Sequence, residues 1–336
     1  MGRVLEAQGA SVTAVAGYVP QGRLCNEELS SRYPEWSAED ILRKTGIRTR
    51  AIAAPDECAS DLAFEAAKKL INREDIDPED VDLLIFCTQS PDYFLPTTSC
   101  ILQERLGLST QSMAFDLPLG CSGWVYGLSV ARALLEAGEA TTALLLTGDT
   151  YTRYVLPEDR NVAAIFGEAG AATLITKRSD LPGHGAIGPF VFGTDGTGAE
   201  ALIVRGGASR HPQKRRRLEM DGPRIFEFCL RRIPGLVHAL LEKAELDLDD
   251  VDLWVFHQAN RFMLDRLRKK TGIREERFAW RLEEEGNTVS STIPLTLESA
   301  VVSGQLKPGM RVGVVGFGVG YSWGAGLIEW THGGMQ

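Results

Sequence analysis

Nowhere in the 336 residues do about 18 apolar residues run uninterrupted, so no membrane-spanning helix is expected. The first residues, MGRVLEAQGASVTAV, carry an early acidic group and no long apolar core, which argues against a secretory leader. A soluble, cytoplasmic protein is the expectation. Cysteine is sparse: Cys25, Cys58, Cys87, Cys100, Cys121 and Cys229 are scattered, with no C-x-x-C pair. That spacing suits reduced thiols and argues against a disulfide framework or a zinc site. Basic charge is in deficit, with 36 Lys and Arg against 45 Asp and Glu and a net charge of −9. A general nucleic-acid binder would need the opposite balance. The glycine-rich GFGVG at 316–320 fits neither G-x-G-x-x-G nor a P-loop, and strand-like AGLIEW follows it. It reads as a tight turn lining a cleft. What remains is a chain that is 44% hydrophobic, long enough for one large domain or two mid-sized ones.

The chain repeats itself at long range. Residues 76–86, IDPEDVDLLIF, and 246–256, LDLDDVDLWVF, match at six of eleven positions with an offset of 170. Each copy is an acidic turn followed by an apolar, branched run, the pattern of a buried strand. A period this long signals two copies of a domain, not a solenoid. Gly120-Cys121-Ser122 and Gly286-Asn287-Thr288 each open a helix-length stretch that closes on a glycine, Gly138 and Gly304, before an apolar strand. In the first stretch Gly123, Gly127 and Ala131 form a small-residue stripe, although each glycine costs about 1 kcal/mol against alanine in a helix interior. The expected fold is α/β, with a central buried helix pair and two duplicated halves about a pseudo-twofold axis. The halves are residues 1–178 and 179–336, parted within the polar stretch 177–185.

The repeat places Cys121 and Asn287 at equivalent helix starts, and Cys87 and His257 at equivalent strand ends. A cleft between the halves could gather Cys121, His257 and Asn287 at element termini. Singly, each has a plainer reading: a buried inert thiol, a structural histidine, a helix-capping asparagine. Together they supply one nucleophile and two neutral hydrogen-bond donors. A helix N-terminus would favour a thiolate at Cys121 and lower its pKa. A papain-like hydrolase also uses Cys, His and Asn, but its local signatures are missing.

The segments GCSGWVYGL, FHQANRFM, EEGNTVSSTIP and GFGVGYSWGAGLIEW resemble, in order and spacing, the 3-oxoacyl-acyl-carrier-protein synthase III family, of thiolase-like fold. RKTGIRTRAIAAPDE, VLPEDRNVAAIFGEAGAA and LEMDGPRIFEF extend the resemblance over roughly residues 10–330. It implies a layered α-β-α-β-α arrangement and a homodimer. It makes Cys121 the acylated nucleophile, with His257 and Asn287 stabilising an enolate formed by decarboxylation. The oxyanion would be held by backbone N–H groups of Cys121 and Val319. Arg160 would face the adenine of coenzyme A, and Thr45, Gly222, Phe226, Ala259 and Asn260 would line the pantetheine tunnel. Leu95, Phe166 and Phe317 would shape the acyl pocket, Leu95 by reaching toward a partner subunit. Acyl-coenzyme A, malonyl-ACP or malonyl-coenzyme A, and an acyl carrier protein are the implied substrates and partners. No metal or cofactor is expected beyond the thioester substrate.

Departures from the family pattern concern coenzyme A. Asp40 stands where an aromatic partner is usual, Lys44 replaces an arginine before Thr45, and the arginine after HQAN is displaced to Arg261. The basic run of Arg205, Arg210 and Lys214 to Arg217 could dock phosphates or an acidic carrier, or be a solvated loop. The C-terminal glycine-rich segment lacks the second cysteine of thiolases, and Asn287 stands where elongating ketosynthases have a second histidine. An acyltransferase passing the acyl group to a non-malonyl nucleophile, or a noncatalytic partner subunit, remain as other readings.

Overall fold

A computed structural model describes residues 9–156, 158–178 and 187–331. The apolar run after the first acidic turn becomes the strand Leu83–Cys87, and its repeat becomes Leu253–Phe256. Both are buried on two faces, as strands between helices must be. Successive side chains point oppositely, so each strand feeds two cores. Leu83, Ile85, Leu253 and Val255 enter one central core. Leu84 and Phe86 turn to the outer core under the helix Ala59–Glu74. Trp254 and Phe256 turn to that under Gly222–Ala244. Full burial of one such side chain is worth about 1.5–3 kcal/mol.

The first sheet has five strands in the order Gly9–Tyr18, Ala169–Arg178, Thr142–Asp149, Leu83–Cys87 and Met113–Leu117. The second has four among the described residues: Leu253–Phe256, Arg311–Gly318, Ser322–Glu329 and Ile187–Thr194. Leu83–Cys87 runs parallel to Thr142–Asp149, and Leu253–Phe256 parallel to Arg311–Gly318, so the duplicated strands keep equivalent neighbours. Each sheet draws on one of the expected halves. The boundary stretch lies outside the described residues from 179 to 185.

Two helices, Gly123–Ala137 and Thr292–Val302, contribute Trp124, Val125, Leu128, Ile293 and Leu297 to the central core. The layers are therefore helix, sheet, helices, sheet, helix, a thiolase-like α/β fold. The small-residue stripe has its reason here. A Cβ at Gly123 would lie 2.1 Å from Cys87 Sγ, and one at Gly127 2.6 Å from Leu145 Cδ1. The helix lies too close to the first sheet for any side chain at either position. The second copy departs from the expected layout. Asn287 does not start a helix: it forms a bridge to Phe166, a 3₁₀ turn Val289–Ser291 follows, and the helix begins only at Thr292. Among the described residues no helix is long and apolar enough to cross a membrane.

Candidate active site

Cys121 sits in the turn just before the Gly123–Ala137 helix and is 5% exposed. Ser122 and Ser322 share a 2.7 Å hydroxyl hydrogen bond that ties this turn to the second half. The end of the Arg311–Gly318 strand presses on the thiol. A Cβ at Gly318 would lie 2.8 Å from Cys121 Cβ and 3.1 Å from its Sγ, so a bare backbone is required there. The expected fall in the thiol pKa is not what the free site produces. Burial pushes it up, and the nearby Asp149 adds to the effect. The turn before the helix does not offset burial and the neighbouring carboxylate. Cys87 is buried behind Gly123 with its Sγ 3.0 Å from the Leu119 carbonyl, and does not line the cavity at Cys121.

His257 follows its strand directly, and its backbone N–H donates to the Val315 carbonyl at 2.8 Å. The ring is 2% exposed, with Nδ1 2.8 Å from Thr292 Oγ1 and the Phe317 ring edge-on at 5.5 Å. Burial takes the imidazole down to about 3, which leaves it neutral at pH 7. A neutral ring can donate one N–H without titrating. The His257-dependent step should therefore show no limb near the ordinary histidine value of about 6.5. A pH–rate profile between about pH 5 and 8 checks this, and a histidine limb there would contradict it. In stability, the depressed value contributes above the unfolded-state pKa, and the contribution is lost as pH falls toward about 3.

Asn287 is held across the seam. Its N–H donates to the Ile165 carbonyl at 2.9 Å, and its own carbonyl accepts from Gly167 N–H at 3.0 Å. Val289, at φ +55°, turns the chain so that its N–H donates to Asn287 Oδ1 at 2.9 Å. The amide oxygen is thereby engaged, and the NH₂ is left as the donor for a ligand.

Asp149, which the sequence reading missed, holds this turn in place. Fully buried at the end of the Thr142–Asp149 strand, it accepts from Ser290 Oγ–H at 2.5 Å, Ser290 N–H at 3.3 Å and Gln89 N–H at 2.8 Å. Burial pushes its carboxyl up to about 7 against these donors. Its contribution to stability runs opposite to that of His257: present below the unfolded-state value and lost as pH rises through about 7. The available signal was a lone carboxylate closing the apolar ALLLTGD run.

Cys121, His257 and Asn287 open into one cavity of about 470 Å³. Thr45, Gly222, Phe226, Ala259 and Asn260 all line it, as the resemblance implied for a tunnel. Phe166 and Phe317 line it too. A separate 340 Å³ cavity adjoins at Leu202 and is walled by Tyr151, Tyr154, Leu218 and Val319. Tyr151, Tyr154 and Leu218, with Leu202 shared between the two cavities, escaped the sequence reading because they come from three separated segments. Val319 lines the smaller cavity and not the one that holds Cys121, and the Cys121 backbone is hydrogen-bonded to its own thiol. A larger cavity of about 760 Å³ near Tyr18 and Arg23 shares only Phe166 with the site and has neither thiol nor imidazole in its wall.

Arg160 pairs with Glu35 and lies over the Trp36 ring at 5.0 Å, while Lys44, at the cavity wall, approaches the same ring at 4.7 Å. Trp36, four residues before Asp40, is thus the aromatic ring beside Arg160. Asp40 instead pairs with Arg43. Arg261 is turned away, 3.6 Å from the centre of the Trp280 ring. In the basic run Arg205 is paired with Glu200 and Glu219, and Arg216 rests over Phe94 at 5.0 Å. Leu95 is 86% exposed beside exposed Tyr93 and Phe94, and lines none of the chain's cavities described above. Among the described residues no group of three or more His, Cys, Asp or Glu is placed to hold a metal.

The comparisons agree with this geometry. Residues 115–196 match the family described as 3-oxoacyl-[acyl-carrier-protein] synthase III, and residues 241–330 match its C-terminal family. A β-ketoacyl-[acyl-carrier-protein] synthase III of Clostridium perfringens is 36% identical over 93% of this chain and 96% of its own. A crystal structure of a 3-oxoacyl-(acyl-carrier-protein) synthase III is 46% identical, with a TM-score of 0.94, over 96% of this chain and all of the other. The priming β-ketosynthase of the R1128 polyketide pathway superposes with a TM-score of 0.90 at 30% identity, covering 98% of each chain. With a thiol, a neutral imidazole and an oriented amide meeting in one cavity, this chain belongs to the 3-oxoacyl-acyl-carrier-protein synthase III family of condensing acyltransferases.

Proposed function

We propose that the enzyme takes an acyl group from acyl-coenzyme A onto Cys121 and condenses it with malonyl-ACP, giving a 3-oxoacyl thioester and carbon dioxide. The observation that carries this reading is the meeting of Cys121, His257 and Asn287 in one cavity whose wall includes Thr45, Phe226 and Asn260. Cys121 sulfur attacks the thioester carbonyl, the N–H groups of Cys121 and Val319 hold the oxyanion, and coenzyme A leaves carrying the thiol proton. Malonyl thioester then loses carbon dioxide, and the electron pair of the broken bond becomes an enolate. His257 and Asn287 donate to its oxygen while its carbon attacks the acyl-cysteine carbonyl and expels Cys121. The chemistry asks for a thiol and neutral donors only, without a metal or redox centre.

The Trp36–Arg160 pair, beside Lys44 of the cavity wall, suits an adenine ring, since a planar base can stack where the guanidinium already does. The 340 Å³ cavity beyond the thiol gives room for primers longer than acetyl. Exposed Tyr93, Phe94 and Leu95 form an apolar tip suited to a second copy of the chain in a homodimer. The test is incubation with a panel of acyl-coenzyme A primers and malonyl-ACP. Release of carbon dioxide with a matching 3-oxoacyl product is expected. Transfer of the acyl group to an alcohol or amine without carbon dioxide would establish the acyltransferase reading in its place.

A further inference from the structure

The tautomer of His257 depends on which partner its ring nitrogen engages, since both the Thr292 hydroxyl and the Val289 backbone hydrogen-bond the ring. A neutral imidazole has a single N–H, and the nitrogen that carries it is set by what the other nitrogen meets. Here Nδ1 meets Thr292 Oγ1 at 2.8 Å. That hydroxyl also lies 3.2 Å from the Val289 carbonyl, so its one proton has two acceptors to choose from. If it points to Nδ1, the ring keeps its proton on Nε2 and offers a donor to the cavity. If it points to Val289, Nδ1–H must donate to Thr292, and Nε2 offers a lone pair that would repel a developing oxyanion.

We propose that Thr292 is a positioning residue that donates its hydroxyl proton to His257 Nδ1 and so fixes Nε2–H as the donor for condensation. Thr292 is 3% exposed, in the first turn of the Thr292–Val302 helix, so water does not compete for the contact. Its own carbonyl accepts from Thr296 Oγ1–H at 2.7 Å, which leaves the side chain free to serve the ring. The Val289 carbonyl that competes for the proton belongs to the turn that orients Asn287, so one short segment governs both donors. The inference rests on the condensing reaction proposed above.

The test compares Thr292→Val, which replaces the hydroxyl with a methyl, and Thr292→Ser, which restores it. ¹⁵N resonances of the labelled His257 ring, read in the free enzyme, report the tautomer independently of any substrate. The wild type and T292S should show the proton on Nε2, and T292V should shift it toward Nδ1. In T292V the kcat for malonyl decarboxylation should fall roughly 10- to 100-fold, the usual effect of removing a partner that orients a working side chain. Acylation of Cys121 and the KM for malonyl thioester should change little. A T292V enzyme that keeps the wild-type tautomer, or decarboxylates at the wild-type rate, overturns the proposal. So does a loss of acylation and decarboxylation in equal measure that T292S fails to restore. Should the wild type not decarboxylate malonyl thioester at all, the proposed reaction fails, while the ring resonances still decide the role of Thr292.

Discussion

Replacing Cys121 with alanine should abolish the covalent acyl-enzyme while leaving the protein folded. The thiol is the cavity's nucleophile next to His257 and Asn287, and alanine keeps the Cβ that packs against Gly318. The loss of one sulfur should cost no more than about 1 kcal/mol of stability, ordinary for a small truncation. Cys229 also lines the cavity, but it sits within the Gly222–Ala244 helix, away from any turn that would aim it at a carbonyl. Cys87 is shut behind Gly123. Intact mass after mixing with acyl-coenzyme A should therefore show the acyl increment on the wild type and none on the variant. An adduct that persists on Cys121→Ala, or maps to Cys87 or Cys229, would displace Cys121 from its role.

His257→Ala and Asn287→Ala should separate the half-reactions. Both should still accept an acyl group on Cys121, because the N–H groups of Cys121 and Val319 are untouched. Decarboxylation should fall by roughly 10²–10³ for each, the cost of about 2.7–4 kcal/mol for losing one preorganised donor to a developing oxyanion. The double variant should lose less than the product of the two, since the donors serve the same oxygen. Single-turnover release of labelled carbon dioxide from a pre-acylated enzyme measures this. If either variant decarboxylates at the wild-type rate, that residue does not hold the enolate.

Much of this was legible in the sequence, for identifiable reasons. The six shared positions of the repeated strand announced the duplication, and strand ends are where His257 and Cys87 could be placed without side-chain coordinates. Spacing served less well at Asn287. Equal distance to the closing glycine suggested a helix start, but the structure spends that length on a bridge and a 3₁₀ turn, which is what brings the amide to Phe166. Trp36 was missed because position 40 was compared residue for residue, whereas the ring beside Arg160 comes from four residues earlier. Asp149 was missed because an aspartate at a strand end resembles a turn residue until its donors, Ser290 and Gln89, are seen arriving from distant segments. The direction of the Cys121 shift was misjudged for a related reason. A helix terminus is readable locally, whereas burial and the approach of Asp149 arise only in the folded chain.

Three of the contacts that join the halves, the hydroxyl pair Ser122–Ser322, the Phe166–Asn287 bridge and the Asp149–Ser290 hydrogen bonds, lie close to a reacting group. The nucleophile belongs to one half and both donors to the other, so neither half carries the full set of reacting groups. Leu83 and Leu253 stay recognisable as a matched pair within the shared central core, while the reacting groups Cys121 and Asn287 share nothing but their neighbourhood.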